Sequence, residues 1–164
     1  MTALLIHGQS KGVLLRELTE ADDQPYFTAI EENREHLDNF GNRAAVKYPT
    51  INEVVQAREQ AGDKLRLGIW VFDGLVGAIN ATPNSDNTEA EIGYWLTESA
   101  TGHGYATIAV RALTRYLCPQ YDHVFAVVNT GNTNSANVLL RAGYQQSGEV
   151  DRDYGRAAIY EARK

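Results

Sequence analysis

The chain has 164 residues, of which 43% are hydrophobic and 22% are charged, and this ordinary composition predicts one globular domain over residues 1–164. The formal net charge of −6 argues against a general nucleic-acid binder, which needs a basic surface, and is compatible with a cationic amine substrate. No apolar run is long enough for a membrane span and residues 1–12 lack a signal-peptide core, so we expect a cytoplasmic protein with no membrane partner.

The first part of the chain predicts a strand followed by a helix. Residues 13–18 alternate weakly between apolar and polar side chains, which is typical of a strand. Thr19 then offers a helix N-cap with acidic residues in the first turn, and Tyr26 and Ile30 fall at helical spacing. We expect this helix to end near Glu32.

Residues 33–49 lose the helical periodicity and include the polar and aromatic side chains of His36, Asn39, Phe40, Arg43 and Tyr48. We expect an irregular or partly helical segment, which either forms one wall of a substrate groove or is a surface connection. Thr50 and Glu53 then have the spacing of a capping box. A second helix should therefore cover residues 51–61 and stop at Gly62.

Three strands should follow as an antiparallel meander. Residues 65–72 and 76–81 are apolar runs joined by Asp73-Gly74, a strong hairpin signal. Residues 83–88 are polar turn material, and residues 89–96 form the third strand. Adjacent strands with tight turns are not a βαβ repeat, so we expect a mixed sheet.

A long helix should then return the chain to a parallel strand. The helix predicted over residues 105–117 carries Ile108, Leu113 and Leu117 on its buried side. Because this crossover begins and ends at the sheet, we expect residues 123–128 to pair parallel to a neighbouring strand.

The chain should end with a short helix and a hairpin. A helical pattern covers residues 136–141, and residues 145–150 and 156–162 read as strands around the turn at residues 153–155.

A glycine-containing turn lies between the third strand of the meander and the long helix. Gly102, Gly104 and Ala106 let backbone amides approach a ligand, and the helix N-terminus adds a partial positive charge, so the turn favours a phosphate. A Walker loop would need a Lys after the glycine, and a Rossmann fingerprint would need Gly or Ala in place of Thr107. The turn is therefore either an ordinary connection or a phosphate site of another kind.

Two further motifs flank the short helix, with Asn132 and Ser135 before it and Gly143-Tyr144 after it. In this order and spacing, the chain resembles the RimJ/RimL-type branch of the GNAT superfamily of acyl-CoA-dependent N-acetyltransferases. The family loop Gln/Arg-x-x-Gly-x-Gly/Ala is matched by Thr101, Gly104 and Ala106, and its Asn-x-x-Ser and Gly-Phe/Tyr motifs by Asn132, Ser135 and Gly143-Tyr144.

The resemblance covers most of the chain, because Leu14-Arg16-Leu18-Thr19 and Ala21-Asp22-Asp23 also look like the family's opening strand and helix. One position departs from it: Thr101 stands where the family has Gln or Arg, so the contact of that side chain is not implied. The backbone of the loop is unaffected by this difference.

The resemblance implies an α/β (α+β) GNAT fold with a mixed, mostly antiparallel sheet of about six or seven strands and about four flanking helices. Two parallel strands would splay and bind the amide-rich pantetheine arm of acetyl-CoA. The implied cofactor residues pair with pantetheine, hold the diphosphate or contact the arm; they are Trp95, Leu96, Thr97, Gly102, His103, Gly104, Tyr105, Ala106, Thr107, Asn132 and Ser135.

The resemblance also suggests catalytic groups. Glu91 matches the family's strand glutamate and would accept the amine proton through a water, although it is otherwise a solvated carboxylate on the same strand face as Glu89. The amide of Trp95 corresponds to the family's carbonyl-polarising donor. Many relatives protonate the thiolate with a tyrosine at the position of Leu139, so Ser135 is the candidate here, unless it is a helix N-cap.

Other reactive side chains receive no role. His7, His36 and His123 lack metal-ligand spacing, and the single cysteine, Cys118, ends an apolar helical run, so we expect no metal and no disulfide. The predicted loop acts through its backbone, which leaves His103 without a side-chain role.

The sequence therefore predicts a GNAT acetyltransferase that moves an acetyl group directly from acetyl-CoA to a primary amine in a ternary complex. The resemblance favours a protein or peptide N-terminal amine as acceptor. Alternatives are a small amine such as an amino acid, polyamine or antibiotic, or a non-catalytic acyl-CoA sensor. Relatives often form homodimers, although no apolar stripe in this sequence identifies an interface.

Overall fold

The computed structural model describes residues 3–39 and 43–163, which include one sheet of eight strands in the order β1-β2-β3-β4-β5-β6-β8-β7. All neighbouring strands in it are antiparallel except β5 and β6, which are parallel. The strands are β1 (Leu5–His7), β2 (Val13–Glu17), β3 (Leu65–Val71), β4 (Gly74–Pro83), β5 (Glu89–Leu96), β6 (His123–Asn129), β7 (Tyr144–Arg152) and β8 (Gly155–Ala162).

Helices cover both faces of the sheet. They are α1 (Asp23–Glu31), α2 (Arg34–Asp38), α3 (Ala44–Lys47), α4 (Ile51–Glu59), α5 (Tyr105–Leu117) and α6 (Thr133–Arg141). Alternation along the strands separates two cores: Ile79 and Ile92 pack with Leu113 of α5, whereas Ala78 and Trp95 pack with the α1 side. In the part of the chain that the structure describes, no helix is both long and apolar enough to cross a membrane.

The predicted opening strand and helix are confirmed, and a short 3-10 turn precedes the helix. β2 covers most of residues 13–18, and Thr19 and Asp22 form a capping box over a 3-10 turn, Glu20–Asp22, that leads into α1. This entry into α1 sets the position of Tyr26. The Tyr26 ring packs edge-on against Trp95 of β5, with ring centroids 5.5 Å apart.

The sequence prediction missed the edge strand β1, and it did not locate the two short helices within residues 33–49. β1 is three residues long and its Leu5 is 48% exposed, so it carries too little alternation to be recognised. The segment at 33–49 is partly helical, as expected, and contains the short helices α2 and α3. Phe40 lies outside the described residues.

The hairpin between β3 and β4 turns one residue earlier than the Asp73-Gly74 signal predicts. Val71 pairs with Gly74, so the two turn residues are Phe72 and Asp73, with φ values of 48° and 67°. Positive φ at both positions is the type I′ geometry that matches strand twist. Gly74 therefore begins β4, which extends to Pro83 and is longer than the predicted 76–81.

The second half of the chain follows the prediction closely. β5 and α5 have the predicted bounds, β6 is parallel to β5, and β7 and β8 form the closing hairpin. α4 has its capping box but ends at Glu59, and α6 begins three residues before the predicted start. The described residues contain eight strands and six helices, more than the expected six or seven strands and about four helices. The additional elements are β1, α2 and α3, which are too short to be predicted individually from the sequence.

The central strands separate after a short parallel contact. β5 and β6 pair from Glu89↔His123 to Ile92↔Ala126 and no further. Beyond this point β5 stays paired with β4, and β6 stays paired with β8. A gap therefore opens in the middle of the sheet, as the predicted fold requires.

The Asp22 carboxylate should make stability depend on pH. Asp22 is buried, and burial alone raises its pKa, but hydrogen bonds from Arg16 and Thr19 together outweigh this and hold the pKa below its ordinary value. Since the folded-state pKa is depressed, this stabilisation should be complete above about pH 5, decline below the unfolded-state value near 4, and be lost as the pH falls through the lower folded-state pKa.

Replacing Asp22 by Asn should lower the free energy of unfolding at pH 7 by about 1–3 kcal/mol, since the Arg16 guanidinium loses its partner. Urea unfolding between pH 3 and pH 7 measures this, with the exposed Asp63→Asn as control. Equal stability of the two variants at pH 7 would contradict the assignment.

Candidate functional site

A cleft of about 370 Å³ opens where β5 and β6 separate. At one end it is lined by β5 and β6 and by the start of α6, including Tyr94, Trp95, Asn132 and Ser135. At the other end it reaches Glu91 and the segment around α3. The gap in the sheet and the cleft are therefore parts of one continuous site.

The backbone of β5 presents alternate residues to the gap. The Thr97 amide donates to the Val76 carbonyl at 2.8 Å, and the antiparallel register with β4 continues through Ala78↔Trp95. Opposed residues in such a ladder alternate between bonded and non-bonded pairs, so the Trp95 amide also faces β4. The amide and carbonyl groups of Tyr94 and Leu96 consequently face the gap.

This register bears on three residues of the predicted pantetheine contact. The Trp95 and Thr97 amides face β4, and the Thr97 carbonyl accepts from the Ala100 amide. Of the predicted three residues, only Leu96 directs its backbone groups into the gap. An added Cβ at Gly77 would lie 2.1 Å from the Trp95 carbonyl oxygen, so β4 and β5 approach closely at this point. The geometry favours Leu96 over Trp95 as a donor to a ligand between the strands.

The glycine turn before α5 has the features of an anion site. Gly102 and Gly104 have φ values of 79° and 83°, a region in which glycine is unstrained. No amide from residue 102 to residue 107 donates to another described residue, and four of them belong to or adjoin the first turn of the 13-residue α5. These free donors, with the helix dipole, can bind a phosphate group.

Two side chains support this turn. Lys11, which the sequence analysis did not identify, donates from Nζ to the His103 carbonyl at 2.6 Å and adds a positive charge beside the amides. The His103 ring stacks on Tyr105 at 5.3 Å, and its Nδ1 lies 2.8 Å from the Thr101 carbonyl. These contacts hold the turn in its conformation. They do not test whether the His103 amide binds a ligand, which stays a prediction.

The start of α6 excludes one of the two alternatives for Ser135, and the other stays a prediction. The Asn132 side chain accepts from the Ser135 amide at 3.1 Å, so Asn132 is the N-cap and the N-cap alternative for Ser135 is wrong. Within the described part of the chain, the Ser135 hydroxyl has no hydrogen-bond partner. Tyr94 donates to the Ser135 carbonyl at 3.0 Å, and burial, the main cause, raises the pKa of the Tyr94 phenol.

Glu91 is the only carboxylate among the described residues that line the cleft. Its Oε2 lies 3.4 Å from a guanidinium nitrogen of Arg152, and both side chains are 38% exposed. Glu89, two residues earlier, does not line the cleft. Glu91 is therefore in contact with a cation as well as with solvent, and it can exchange a proton with a bound molecule or a water.

The far wall of the cleft is positively charged. Arg43, Lys47 and Tyr48 line it, whereas His36 and Asn39 do not. Part of the segment 33–49 therefore lines the cleft, and its role as a wall of a substrate groove stays a prediction. Lys64 and Arg66 lie beside them. Burial is the main cause that lowers the pKa of the Lys64 ammonium, and the charges of Lys47 and Arg66 lower it further while Glu91 opposes them.

Sequence reasoning missed several residues of the site. Arg66 carried a usable signal, since it is a charged residue within the otherwise apolar β3. Arg152, Tyr154 and Lys11 carried none, because their positions depend on how the last hairpin and the N-terminal loop fold back onto the sheet. Among the described residues there is no group of three or more His, Cys, Asp or Glu side chains that could hold a metal ion.

The site can therefore bind an extended, amide-containing ligand between β5 and β6 with its anionic end at the glycine turn. The reactive end of that ligand would lie near Glu91, Ser135 and the cationic wall.

Comparison with known proteins agrees with this architecture. Residues 13–145 match the acetyltransferase (GNAT) domain family. The chain is 31% identical over 84 residues to a Bacillus subtilis (strain 168) protein named "Putative ribosomal N-acetyltransferase YdaF". That alignment covers 49% of this chain and 46% of the relative, so the match spans about half the length of the curated relative.

Two solved structures share the fold. The apo form of RimL, a ribosomal L7/L12 alpha-N-protein acetyltransferase, superposes with a TM-score of 0.84 at 19% identity, covering 100% of this chain and 96% of that chain. AAC(6')-Ib in complex with ribostamycin and coenzyme A superposes with a TM-score of 0.78 at 20% identity, covering 93% and 94%. At these identities the likeness is one of fold.

Removing the α6 cap should loosen the start of that helix. We expect Asn132→Ala to lower the free energy of unfolding by about 1 kcal/mol, because the Ser135 amide loses its acceptor. Asn134→Ala is a matched control, since Asn134 is exposed within α6 and makes no cap. Thermal or urea unfolding measures both variants, and a loss in the Asn134 variant alone would contradict the cap assignment.

Proposed function

The chain belongs to the GNAT acetyltransferase family, and we propose that it is an acetyl-CoA-dependent N-acetyltransferase acting on a primary amine, with a protein or peptide N-terminal amine as the favoured acceptor. The observation that carries the proposal is the separation of β5 from β6 directly beside a turn of free amides. The gap leaves backbone groups available to an extended ligand, and the turn that follows β5 adds donors for an anionic end.

Coenzyme A fits the gap by the chemistry of its parts. The pantetheine arm contains amide groups that can pair with the free backbone of Tyr94 and Leu96, as an added strand would. Its diphosphate would accept from the amides of residues 102–107, and Lys11 would add charge. Asn132 can contribute its side-chain amide nitrogen, since its oxygen is used in the cap.

The proposed reaction is direct transfer in a ternary complex. The neutral amine attacks the thioester carbonyl, a C–N bond forms, and the tetrahedral intermediate collapses as the C–S bond breaks. The proton lost by the amine passes through a water to Glu91, and the departing thiolate takes a proton from a neighbouring donor. No bond to the protein forms at any stage.

The structure suggests how two of these tasks are divided. The Leu96 amide, which faces the gap, is the better placed donor for the oxyanion, and we assign it this task in place of Trp95. The Ser135 hydroxyl is unpaired within the described residues and lines the cleft, so we assign it the passage of a proton to the thiolate: it donates its own proton and takes one from a solvent water. Trp95 then acts through packing, holding Tyr26 beside the cleft.

Two acceptor classes have support from relatives. YdaF and RimL are named for ribosomal proteins, which favours a peptide N-terminus. AAC(6')-Ib was solved with an aminoglycoside, which supports a small-molecule amine as the second candidate.

Replacing Glu91 by Gln tests the proposed base. At neutral pH we expect kcat to fall about 10²-fold with the KM for acetyl-CoA unchanged, since Glu91 lies on the acceptor side of the gap. Glu89→Gln is the control, because Glu89 is on the same strand outside the cleft. Arg152→Gln removes the ion pair but keeps the carboxylate, and should retain most of the activity.

Acetyl-dependent thiol release measures all three variants. An unchanged rate in Glu91→Gln would exclude Glu91 as the base. If the wild-type protein binds CoA tightly but shows no amine-dependent thiol release, the result would contradict an enzyme and support an acyl-CoA sensor.

Replacing Gly104 by Ala tests the phosphate site. The φ of 83° strains an alanine by about 1–2 kcal/mol, so the turn should shift and the KM for acetyl-CoA should rise about tenfold at unchanged kcat. Gly143→Ala is the matched control, with a φ of 97° and no atom within 4 Å of an added Cβ. Equal effects of the two substitutions on KM would contradict a phosphate site at this turn.

A further inference from the structure

The acceptor end of the cleft has a charge opposite to that of the chain. The whole sequence carries a net charge of −6, yet the charged residues that line the cleft are Glu91 and the five cations Arg43, Lys47, Lys64, Arg66 and Arg152. A concave surface lined mainly by one sign of charge concentrates the field of that sign at its centre. The cleft is therefore positive although the protein is acidic.

Two of the five cations have carboxylate partners. Arg152 pairs with Glu91 at 3.4 Å, and Arg43 lies 3.6 Å from Asp153, a carboxylate that is 74% exposed. Within residues 3–39 and 43–163, the other three cations have no carboxylate within 4.0 Å. These unpaired cations are Lys47, Lys64 and Arg66, and all three line the same wall.

Arg66 is unusual among them because it is only 8% exposed. Among the described residues, the one hydrogen-bond partner of its guanidinium is the Tyr48 hydroxyl at 3.2 Å, and the guanidinium also lies 5.5 Å from the Tyr26 ring centroid and 5.8 Å from that of Tyr48. Aromatic faces stabilise a cation less than a carboxylate does. A buried guanidinium without a counter-charge is costly, and a bound anion would offset that cost.

We propose that the acceptor amine carries anionic groups close to its amino group, and that Lys64 and Arg66, assisted by Lys47, hold these groups as the acceptor enters. This inference rests on the proposed acetyltransferase function and narrows its acceptor class. The same charges repel polycationic amines such as aminoglycosides. The shared chemistry is a carboxylate or phosphate near the amine, on an acidic peptide N-terminus or on a small amine.

The cationic wall also suits the chemistry of the step. An ammonium group beside unpaired cations loses its proton more readily than in water, because like charges disfavour the charged form. The acceptor would therefore arrive with its anionic groups on Lys64 and Arg66 and its amine in the neutral, nucleophilic form near Glu91. The anionic groups supply the binding energy of the acceptor, so losing them should raise the KM for the acceptor.

The test compares acceptors that differ in charge alone, with acetyl-CoA binding measured on the same protein. One set is three peptides with the same N-terminal Ser, followed by Asp-Glu, by Asn-Gln or by Lys-Lys. A second set is phosphoethanolamine and ethanolamine. We expect kcat/KM to be at least about tenfold higher for the acidic peptide than for its amide counterpart, and lowest for the basic one.

The two sets distinguish the source of the charge. Preference for the acidic peptide over the amide peptide supports a peptide acceptor, and preference for phosphoethanolamine over ethanolamine supports a small anionic amine. Either preference supports the inference. If the neutral or basic acceptors are used equally well or better, the inference is wrong and the acetyltransferase function stands. If acetyl-CoA does not bind, or if no acceptor releases thiol, both the proposed function and the inference fail.

Substitutions in the cationic wall test whether its side chains cause the preference for anionic acceptors. Lys64→Met should raise the KM for the anionic acceptor about three- to tenfold, leave the KM for acetyl-CoA unchanged, and leave the neutral acceptor nearly unaffected. Lys47→Ala is a second variant at an exposed position where folding is not at risk, with a smaller shift in the same direction. Arg163→Met removes an exposed charge outside the cleft and should change neither KM. Equal shifts for anionic and neutral acceptors in Lys64→Met would overturn the role of the wall.

Discussion

The site depends on the point in the middle of the sheet where β5 and β6 stop pairing with each other while each keeps its other partner strand. β5 remains bonded to β4 as far as Thr97, and β6 remains bonded to β8 as far as Asn129, so the two parallel strands share only four register pairs. The absence of a side chain at Gly77 lets β4 hold β5 closely at Trp95. Backbone groups that a continuous sheet would satisfy internally are thus left for a ligand, and they explain why an extended amide-containing molecule suits this gap.

The elements beside the gap each supply one requirement. The turn at Gly102 and Gly104 provides unpaired amides at the N-terminus of α5, and Asn132 fixes the start of α6 so that Ser135 faces the cleft. The side of the cleft away from the turn instead presents cations around Glu91. The glycine turn therefore suits the phosphates of a cofactor, and the cations of the cleft favour the proposed acceptor with anionic groups.

Most of the fold, but less of the site, could be predicted from the sequence. β5 and α5 were predicted with their final bounds because β-branched and aromatic residues, then glycines, then a helical period mark them without overlap. The hairpin was misplaced because Phe72 accepts a positive φ that sequence rules assign to Asp73-Gly74. The cationic wall was missed because the cations around α3 and those at the start of β3 are separated in sequence by α4, and only tertiary packing brings them together.

Amide-resolved NMR of the 15N-labelled protein during titration with coenzyme A tests the central claim most directly. The account predicts that the amides of Tyr94 and Leu96 and those of residues 102–107 shift and exchange more slowly with solvent, while the amides of Trp95 and Thr97, already bonded to β4, keep their protection. Coenzyme A binding that leaves Tyr94, Leu96 and the glycine turn unperturbed would contradict a cofactor site in the gap between β5 and β6.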